Sequence, residues 1–175
     1  MSKEVRTIGI VGTGIIATSL AVLTTGHGFK TVVYARSESS AKRCLNDYEN
    51  HWKSMIGHGL TTSEQSEICK TYLVISGDYK DMENAEIVFE SALENPDVKH
   101  DIYHILEEIC LDVKAICSVS SSIVPDVLAE TCEKYGDRII VTHPFNPVHM
   151  VPYFELCGGK NTAPWVIEYV YRLLE

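Results

Sequence analysis

Short apolar segments alternate along the chain with longer amphipathic segments, and glycine, proline or polar residues separate them. The apolar segments predict buried strands at residues 7–11, 31–34, 72–76, 85–90, 114–118, 138–142 and 153–157. The amphipathic segments predict helices over residues 15–25, 37–58, 61–69, 97–111, 125–134 and 162–175. Strands that alternate with helices are typical of a parallel sheet covered on both faces, so the pattern predicts an α/β fold.

Polar residues and prolines at the segment boundaries refine two of these helices. Ser37 or Ser39 is a suitable N-cap for the second helix, because a serine hydroxyl accepts a hydrogen bond from the first turn. Thr162 is predicted to cap the last helix, with Pro164 in its first turn. The apolar face of the second helix is predicted to hold Leu45, Tyr48, Trp52, Met55 and Ile56.

A glycine motif, Gly12-x-Gly14-x-x-Ala17, joins the first strand to the first helix. Gly12 allows the tight turn, Gly14 lets a pyrophosphate approach the backbone, and Ala17 permits close packing of helix against strand. The helix begins at Ile15 and Ile16, so its positive dipole end faces the phosphates. The motif predicts a Rossmann-type, doubly wound, mostly parallel sheet, with one dinucleotide-binding domain over residues 1–175.

The end of the second strand bears on which dinucleotide is bound. Domains that prefer NAD place Asp or Glu there, and this sequence has Ala35-Arg36-Ser37 instead. The planar guanidinium of Arg36 suits a 2′-phosphate, with Ser37 as a second contact, unless Arg36 is a simple surface residue. We therefore expect NAD(P) as the cofactor and favour NADP(H) over NAD(H).

Composition excludes some partners and suggests a location. The chain has 175 residues and a formal charge of −9, which argues against a nucleic-acid partner. No apolar run reaches the roughly 18 residues that a membrane helix needs. Six cysteines without CxxC spacing and a polar start (residues 1–4) without a signal peptide predict reduced, mostly buried thiols in a cytoplasmic protein. The chain ends within a predicted helix, so we expect it to be truncated before the last strand of its domain.

Three segments near predicted strand ends contain candidate catalytic groups. The serines of Ser118–Ser122 follow a strand, where ligands bind in such sheets, although a turn and N-cap before Pro125 explain them equally well. His143 follows another strand, and an imidazole is a natural base near neutral pH. Glu155 interrupts an apolar strand, and a carboxylate there needs a partner such as His143.

These motifs together resemble the 3-hydroxyacyl-CoA dehydrogenase family over nearly the whole chain. The resemblance rests on Gly12-x-Gly14, Glu90-Ser91-Ala92-Leu93-Glu94-Asn95, Ser120-Ser121-Ser122, His143-Pro144-Phe145-Asn146-Pro147 and Glu155. It implies reversible hydride transfer between a nicotinamide cofactor and a 3-hydroxyacyl substrate, a 3-hydroxyacyl-CoA in particular.

The resemblance also implies roles for single residues. His143 would be the general base, Glu155 its orienting partner, and Ser121 a hydrogen bond to the 3-oxygen of the substrate. The cofactor and substrate side would be lined by Ala92, Glu94, Lys99 and Asn146.

Two departures from the family pattern limit this inference. Val119 stands where mitochondrial-type members commonly have Asn. The run His143–Pro147 followed by Pro152 is more similar to the branch with L-gulonate 3-dehydrogenase, carnitine dehydrogenase and diketoreductase. A free 3-hydroxy acid is therefore an alternative substrate. The resemblance implies a C-terminal helical domain that supplies much of the acyl pocket and the homodimer interface. We expect these 175 residues to lack it, and we therefore expect the chain alone to be weakly active or inactive.

Other classes of protein fit the sequence less well. A methyltransferase usually has an acidic residue at the end of the second strand, where this sequence has Ala35-Arg36. A short-chain reductase needs Tyr-x-x-x-Lys, which this sequence lacks. His100 and His104 have helical spacing without the rest of a zinc motif, so we expect no metal. A non-catalytic nucleotide-binding or regulatory fragment remains open.

Overall fold

The computed structural model describes residues 7–175 as seven strands and six α-helices. The polar start, residues 1–4, lies outside the described residues. The strands are β1 (Thr7–Val11), β2 (Lys30–Tyr34), β3 (Leu73–Ser76), β4 (Ala85–Glu90), β5 (Ala115–Ser118), β6 (Ile139–Pro144) and β7 (Phe154–Gly158). The helices are α1 (Ile15–Gly26), α2 (Glu38–Gly57), α3 (Ser63–Lys70), α4 (Pro96–Ile109), α5 (Pro125–Leu128) and α6 (Pro164–Leu174), with 3₁₀ turns at Tyr79–Met82 and Gly136–Arg138.

The seven strands form one sheet in the order β3-β2-β1-β4-β5-β6-β7. All neighbouring pairs are parallel except β6 and β7, which are antiparallel. The order reverses between β1 and β4, as in a doubly wound dinucleotide-binding sheet. The predicted Rossmann-type, mostly parallel α/β fold is therefore confirmed.

Apolar side chains fill the space on both faces of the sheet. One core contains residues of α1, α2 and α6 against the sheet, with Leu20, Tyr48 and Val166 fully buried. The other contains residues of α4 and α5, including Leu106 and Leu128. Because both faces are covered, the central strands are apolar over most of their length.

The structure of α2 confirms the predicted N-cap and corrects part of the predicted apolar face. The Ser37 hydroxyl accepts a hydrogen bond from the Ser40 amide, so Ser37 is the N-cap. Tyr48 and Trp52 are buried as predicted, but Leu45 is 46% exposed. Cys44 is buried instead of Leu45. The packed face of α2 therefore includes Cys44, Tyr48 and Trp52, which are spaced four residues apart.

The predicted helix over 125–134 is wrong beyond its first turn. Regular α-helix ends at Leu128. The amides of Glu133, Lys134 and Tyr135 donate instead to the buried carboxylate of Glu107. The nitrogen-to-oxygen distances are 3.1, 2.7 and 2.8 Å, respectively. Those amides are therefore satisfied by a side chain on α4, and a continued helix is not needed for them.

The predicted cap of the last helix is also wrong. The N-cap of α6 is Ala163, without a side-chain hydrogen bond, and Pro164 is in the first turn as predicted. The Thr162 hydroxyl instead donates to the Ile139 carbonyl and accepts from the Gly159 amide, both at 2.8 Å. Thr162 thus ties the turn after β7 to β6.

The cysteines are mostly buried, as predicted. Four are buried, Cys132 is half-buried and Cys157 is exposed, and all are free thiols. Among the helices within residues 7–175, none combines the length and apolar character needed to cross a membrane.

Candidate functional site

The glycine turn after β1 has the geometry that the motif predicts. Gly12 has a φ of +125°, and a Cβ atom there would lie 2.6 Å from the Ser91 hydroxyl oxygen. Only glycine fits this position, because both the backbone angle and the space exclude a side chain. A Cβ atom at Gly14 would meet nothing within 4 Å, so the backbone there faces open space.

The N-terminus of α1 is open to an anionic ligand. Gly14 is its N-cap, with no side-chain hydrogen bond and no acidic residue in the first turn. Ile15 is 67% exposed, Ile16 is half-buried, and Ala17 is fully buried against the sheet. An uncapped helix end beside an open glycine backbone fits the pyrophosphate of a dinucleotide.

The residues after β2 lie on the same edge of the sheet. Ala35 is buried, whereas Arg36 and Ser37 are exposed. The Ser37 hydroxyl caps α2 and lies 3.0 Å from the hydroxyl of Ser39. Glu38, the first acidic residue, pairs with Lys42 on the exposed side of α2 at 2.6 Å. The exposed group that follows β2 is therefore the Arg36 guanidinium, next to hydroxyls at a helix N-terminus.

The serine turn after β5 is held by one carboxylate oxygen of Glu94. This oxygen accepts from the Ser120 hydroxyl at 2.6 Å, the Ser121 and Ser122 amides at 3.0 Å, and the Ser122 hydroxyl at 2.9 Å. Burial alone would raise the pKa of Glu94, but these hydrogen bonds and the charge of Lys99 lower it to about 2. Glu94 is therefore ionised and clamps the turn that carries Ser121.

A buried polar network lies behind Glu94. Glu90 is fully buried at the end of β4, and its carboxylate accepts from Lys99, from the hydroxyls of Tyr103 and Ser118, all at 2.9 Å, and from the Ala92 amide at 2.7 Å. Lys99 Nζ also lies 3.6 Å from Glu94. The Lys99 side chain is only 1% exposed, so it lies behind Glu94, between the two carboxylates.

No role was predicted for Glu90 or Tyr103 from the sequence. A carboxylate at the end of an otherwise apolar strand was the available signal for Glu90, since a buried charge needs partners. Nothing in the local pattern marks Tyr103, whose spacing fits an ordinary core residue of α4. Burial and the nearby Glu90 carboxylate hold the pKa of Tyr103 well above its ordinary value, so its hydroxyl stays a donor.

Ser121, His143 and Glu155 form a connected set. His143 on β6 lies directly opposite Glu155 on β7 in the antiparallel register. His143 Nδ1 is 3.2 Å from Glu155 Oε2, and His143 Nε2 is 3.2 Å from the Ser121 hydroxyl. The side chains of His143 and Glu155 are 36% and 61% exposed, so the set faces open space. A carboxylate at Nδ1 favours the tautomer that leaves Nε2 free to take a proton.

The remaining predicted site residues lie on neighbouring loops. Asn146 is exposed in the loop between β6 and β7, and its peptide bond to Pro147 is cis. Ala92 is half-buried just after β4. The carboxyl ends of β1, β2, β4, β5 and β6 meet at one edge of the sheet because these strands are parallel. The structure thus brings the glycine turn, the serine turn and the histidine to the same edge.

The histidines considered for zinc make other contacts. His100 Nε2 lies 2.8 Å from the Val127 carbonyl, and His104 lies 3.7 Å from Glu107. Within residues 7–175, no three His, Cys, Asp or Glu side chains are grouped as metal ligands.

Comparison with known proteins places this geometry in a family. Residues 7–175 match the family model of the 3-hydroxyacyl-CoA dehydrogenase NAD-binding domain. An L-carnitine dehydrogenase from Bacillus cereus is 26% identical over 165 residues, which are 94% of this chain and 49% of that protein. A 3-hydroxyadipyl-CoA dehydrogenase from Escherichia coli is 26% identical over 99% of this chain and 36% of its own length.

A solved structure agrees with the sequence matches. The (S)-3-hydroxybutyryl-CoA dehydrogenase from Ralstonia eutropha superposes with a TM-score of 0.91 at 27% identity, over 98% of this chain and 60% of that chain. The chain spans about half the length of the L-carnitine dehydrogenases that it matches.

Proposed function

Since the chain belongs to the 3-hydroxyacyl-CoA dehydrogenase family through its NAD-binding domain, we propose that it is the cofactor half of an oxidoreductase. The reaction interconverts a 3-hydroxyacyl compound, in particular a 3-hydroxyacyl-CoA, and its 3-keto form. The observation that carries this proposal is the Ser121–His143–Glu155 set on the same sheet edge as the open glycine turn.

Ser121, His143 and Glu155 each have a separate role in the transfer of one proton. In the oxidative direction, His143 Nε2 accepts the proton of the substrate's 3-hydroxyl, while Glu155 keeps the proton on Nδ1 and stabilises the imidazolium. The Ser121 hydroxyl orients the same oxygen, and Glu94 holds Ser121 in place. When bound, the nicotinamide supplies the hydride acceptor for this chemistry.

The residues after β2 support NADP(H) as the preferred dinucleotide. A carboxylate would repel the 2′-phosphate, and the position after Ala35 holds the exposed Arg36 guanidinium in place of one. The hydroxyls of Ser37 and Ser39, which lie 3.0 Å apart, follow Arg36 in the chain. This preference is a proposal for this chain; its family is defined by an NAD-binding domain.

A second candidate substrate is a free 3-hydroxy acid, of the carnitine or gulonate kind. Its support is the similarity to several L-carnitine dehydrogenases at 25–27% identity. A non-catalytic nucleotide-binding role is the remaining alternative. The cytoplasmic location, the part in fatty acid metabolism and the homodimer of a full-length parent stay predictions.

Acetoacetyl-CoA reduction by the full 175-residue chain with NADPH tests the catalytic assignment. We expect slow turnover, and we expect His143→Gln to lower it at least 100-fold while leaving NADPH affinity within about twofold. Lys53→Gln, on the exposed face of α2, is the matched control. A measurable rate in the unmodified chain that His143→Gln leaves unchanged would contradict the assignment of the base. DL-carnitine oxidation with NADP⁺ distinguishes the second substrate class.

A further inference from the structure

Ser19 and His149 form a buried contact that the proposed reaction does not use. The Ser19 hydroxyl lies 2.6 Å from His149 Nδ1 and accepts from the His149 amide at 3.1 Å. Ser19 is fully buried and His149 is 8% exposed. One serine hydroxyl thus binds both the backbone and the ring of a residue 130 positions away.

This contact joins the two halves of the candidate site. Ser19 is on α1, the helix that begins at the glycine turn. His149 is in the loop between β6 and β7, which contains Asn146 and connects the strand of His143 to the strand of Glu155. Val148 of this loop is fully buried in the core that α1 shares. The loop is therefore fastened to the dinucleotide-binding helix beside the catalytic strands.

A second histidine covers the contact from α2. The rings of His51 and His149 are 4.3 Å apart between centroids, and His51 Nε2 lies 3.3 Å from the Thr18 hydroxyl. Two neighbouring rings in a partly buried site are most stable when neither carries a charge.

We propose that Ser19 and His149 are positioning residues, which fix the loop between β6 and β7 on α1 and thereby hold His143 and Glu155 in register with the bound dinucleotide. This inference rests on the proposed function. Neither residue touches the reacting atoms. Their effect is on the placement of Asn146 and of the His143–Glu155 pair, which stands on the two strands that the loop connects.

The charge state of the two rings gives this contact a distinctive pH signature. Burial and, second, the neighbouring His51 lower the pKa of His149 to about 4, and burial lowers that of His51, against the opposing charge of Asp47 on α2. Both rings are thus neutral at pH 7. As the pH falls toward 4, His149 gains a proton beside His51. This places a charge in a mostly buried site, and we expect it to weaken the attachment of the loop.

A double-mutant cycle with Ser19→Ala and His149→Phe tests the proposal. In the free chain, two-bond ¹H–¹⁵N spectra report the tautomer of the His143 ring. We expect one Nδ1–H tautomer in the unmodified chain and averaged tautomers in each variant. The NADPH Kd should rise about five- to tenfold in each single variant. The double variant should show no larger rise than Ser19→Ala, since His149→Phe removes one of the two hydrogen bonds that Ser19→Ala removes.

Two further variants separate positioning from simple stability. His149→Asn keeps an acceptor close to the position of Nδ1 and should restore most of the single tautomer and the NADPH affinity. His51→Gln should raise the pH at which the His149 ring titrates. His27→Phe, an exposed histidine at the end of α1, is the control and should change neither readout.

The outcomes for the contact and for the proposed function are distinguishable. If the unmodified chain binds neither NADPH nor NADH, the proposed function fails, and the His143 spectra still decide the positioning role. If Ser19→Ala and His149→Phe lower the melting temperature but leave the His143 spectrum unchanged, the contact is only structural and the proposal is overturned. Additive effects in the double variant would overturn it as well.

Discussion

At the scale of the residue, the two glycines of the turn after β1 have different tasks. Gly12 adopts a φ of +125° against the backbone of Ser91, whereas Gly14 faces open space. The first is required by the protein itself, because a side chain has neither an allowed backbone angle nor room there. The second leaves space that a pyrophosphate can occupy.

This difference predicts opposite results for the two alanine variants. Gly12→Ala should lower the free energy of unfolding by about 2–3 kcal/mol, because it combines a strained φ with a clash. Gly14→Ala should change stability by less than about 1 kcal/mol but weaken NADPH binding at least tenfold. Urea unfolding and fluorescence titration measure the two effects. A stable Gly12→Ala variant, or a Gly14→Ala variant with full affinity, would contradict this division.

Arg36 is the residue on which the choice of dinucleotide depends. Arg36→Asp places a carboxylate where NAD-preferring domains have one, and it removes the cation. We expect the NADPH Kd to rise about 10- to 100-fold, as for a lost charged hydrogen bond, and the NADH Kd to fall. Arg43→Asp, an exposed arginine on α2, controls for net charge. Unchanged selectivity in Arg36→Asp would show that Arg36 is a surface residue.

At the scale of the element, Glu107 binds the non-helical segment that follows α5. Glu107 is 5% exposed, and its carboxylate accepts hydrogen bonds from the three consecutive amides of residues 133–135. Burial acts to raise the pKa of Glu107, but the amides of Tyr135, Lys134 and Glu133, followed by the charge of His104, lower it. The periodicity of the sequence predicted a helix over residues 125–134, because periodicity contains no information about a hydrogen-bonding carboxylate on another helix.

Glu107→Gln should destabilise the protein by about 1–3 kcal/mol at pH 7, since a neutral amide oxygen is a weaker acceptor for three amides. A lowered pKa means that the carboxylate's contribution is present above the ordinary pKa of Glu, about 4.3. It is lost as the pH falls through the folded-state value. The difference between Glu107→Gln and the unmodified protein should therefore shrink in acid.

Urea unfolding from pH 7 to pH 3 measures this difference. Glu108→Gln is the matched control, because Glu108 is the next residue on α4 and is exposed. A Glu107→Gln variant as stable as Glu108→Gln at pH 7 would show that the three amide contacts contribute nothing.

At the scale of the whole molecule, the parts of the site lie together at the edge of the sheet formed by the carboxyl ends of the parallel strands. The glycine turn, the serine turn and His143 are far apart in sequence, yet each lies at the carboxyl end of a parallel strand and so at the same edge. Behind them, the buried Glu90–Lys99 pair connects the end of β4 to Glu94 and the serine turn.

Ligand binding should therefore stabilise the whole fold. A ligand that binds the folded chain alone raises the free energy of unfolding by about 2.7 kcal/mol at 100 times its Kd. For a chain of this size, that corresponds to a melting temperature about 5–10 °C higher. NADP⁺ should give a larger shift than NAD⁺ at equal concentration in thermal unfolding. A larger shift with NAD⁺ would contradict the preference proposed from Arg36.

The sequence alone determined the alternating elements, the glycine turn after β1, and Ser121, His143 and Glu155 as candidate catalytic residues. These signals act over a few residues, since periodicity, turn chemistry and motif spacing are local properties of the chain. Only the tertiary structure decided the Glu90–Lys99–Tyr103 network, the Glu107 contacts to the amides of residues 133–135, and the bond from Ser19 to His149. Those contacts join distant segments, and they exist because packing on the sheet places one polar group where another must be satisfied.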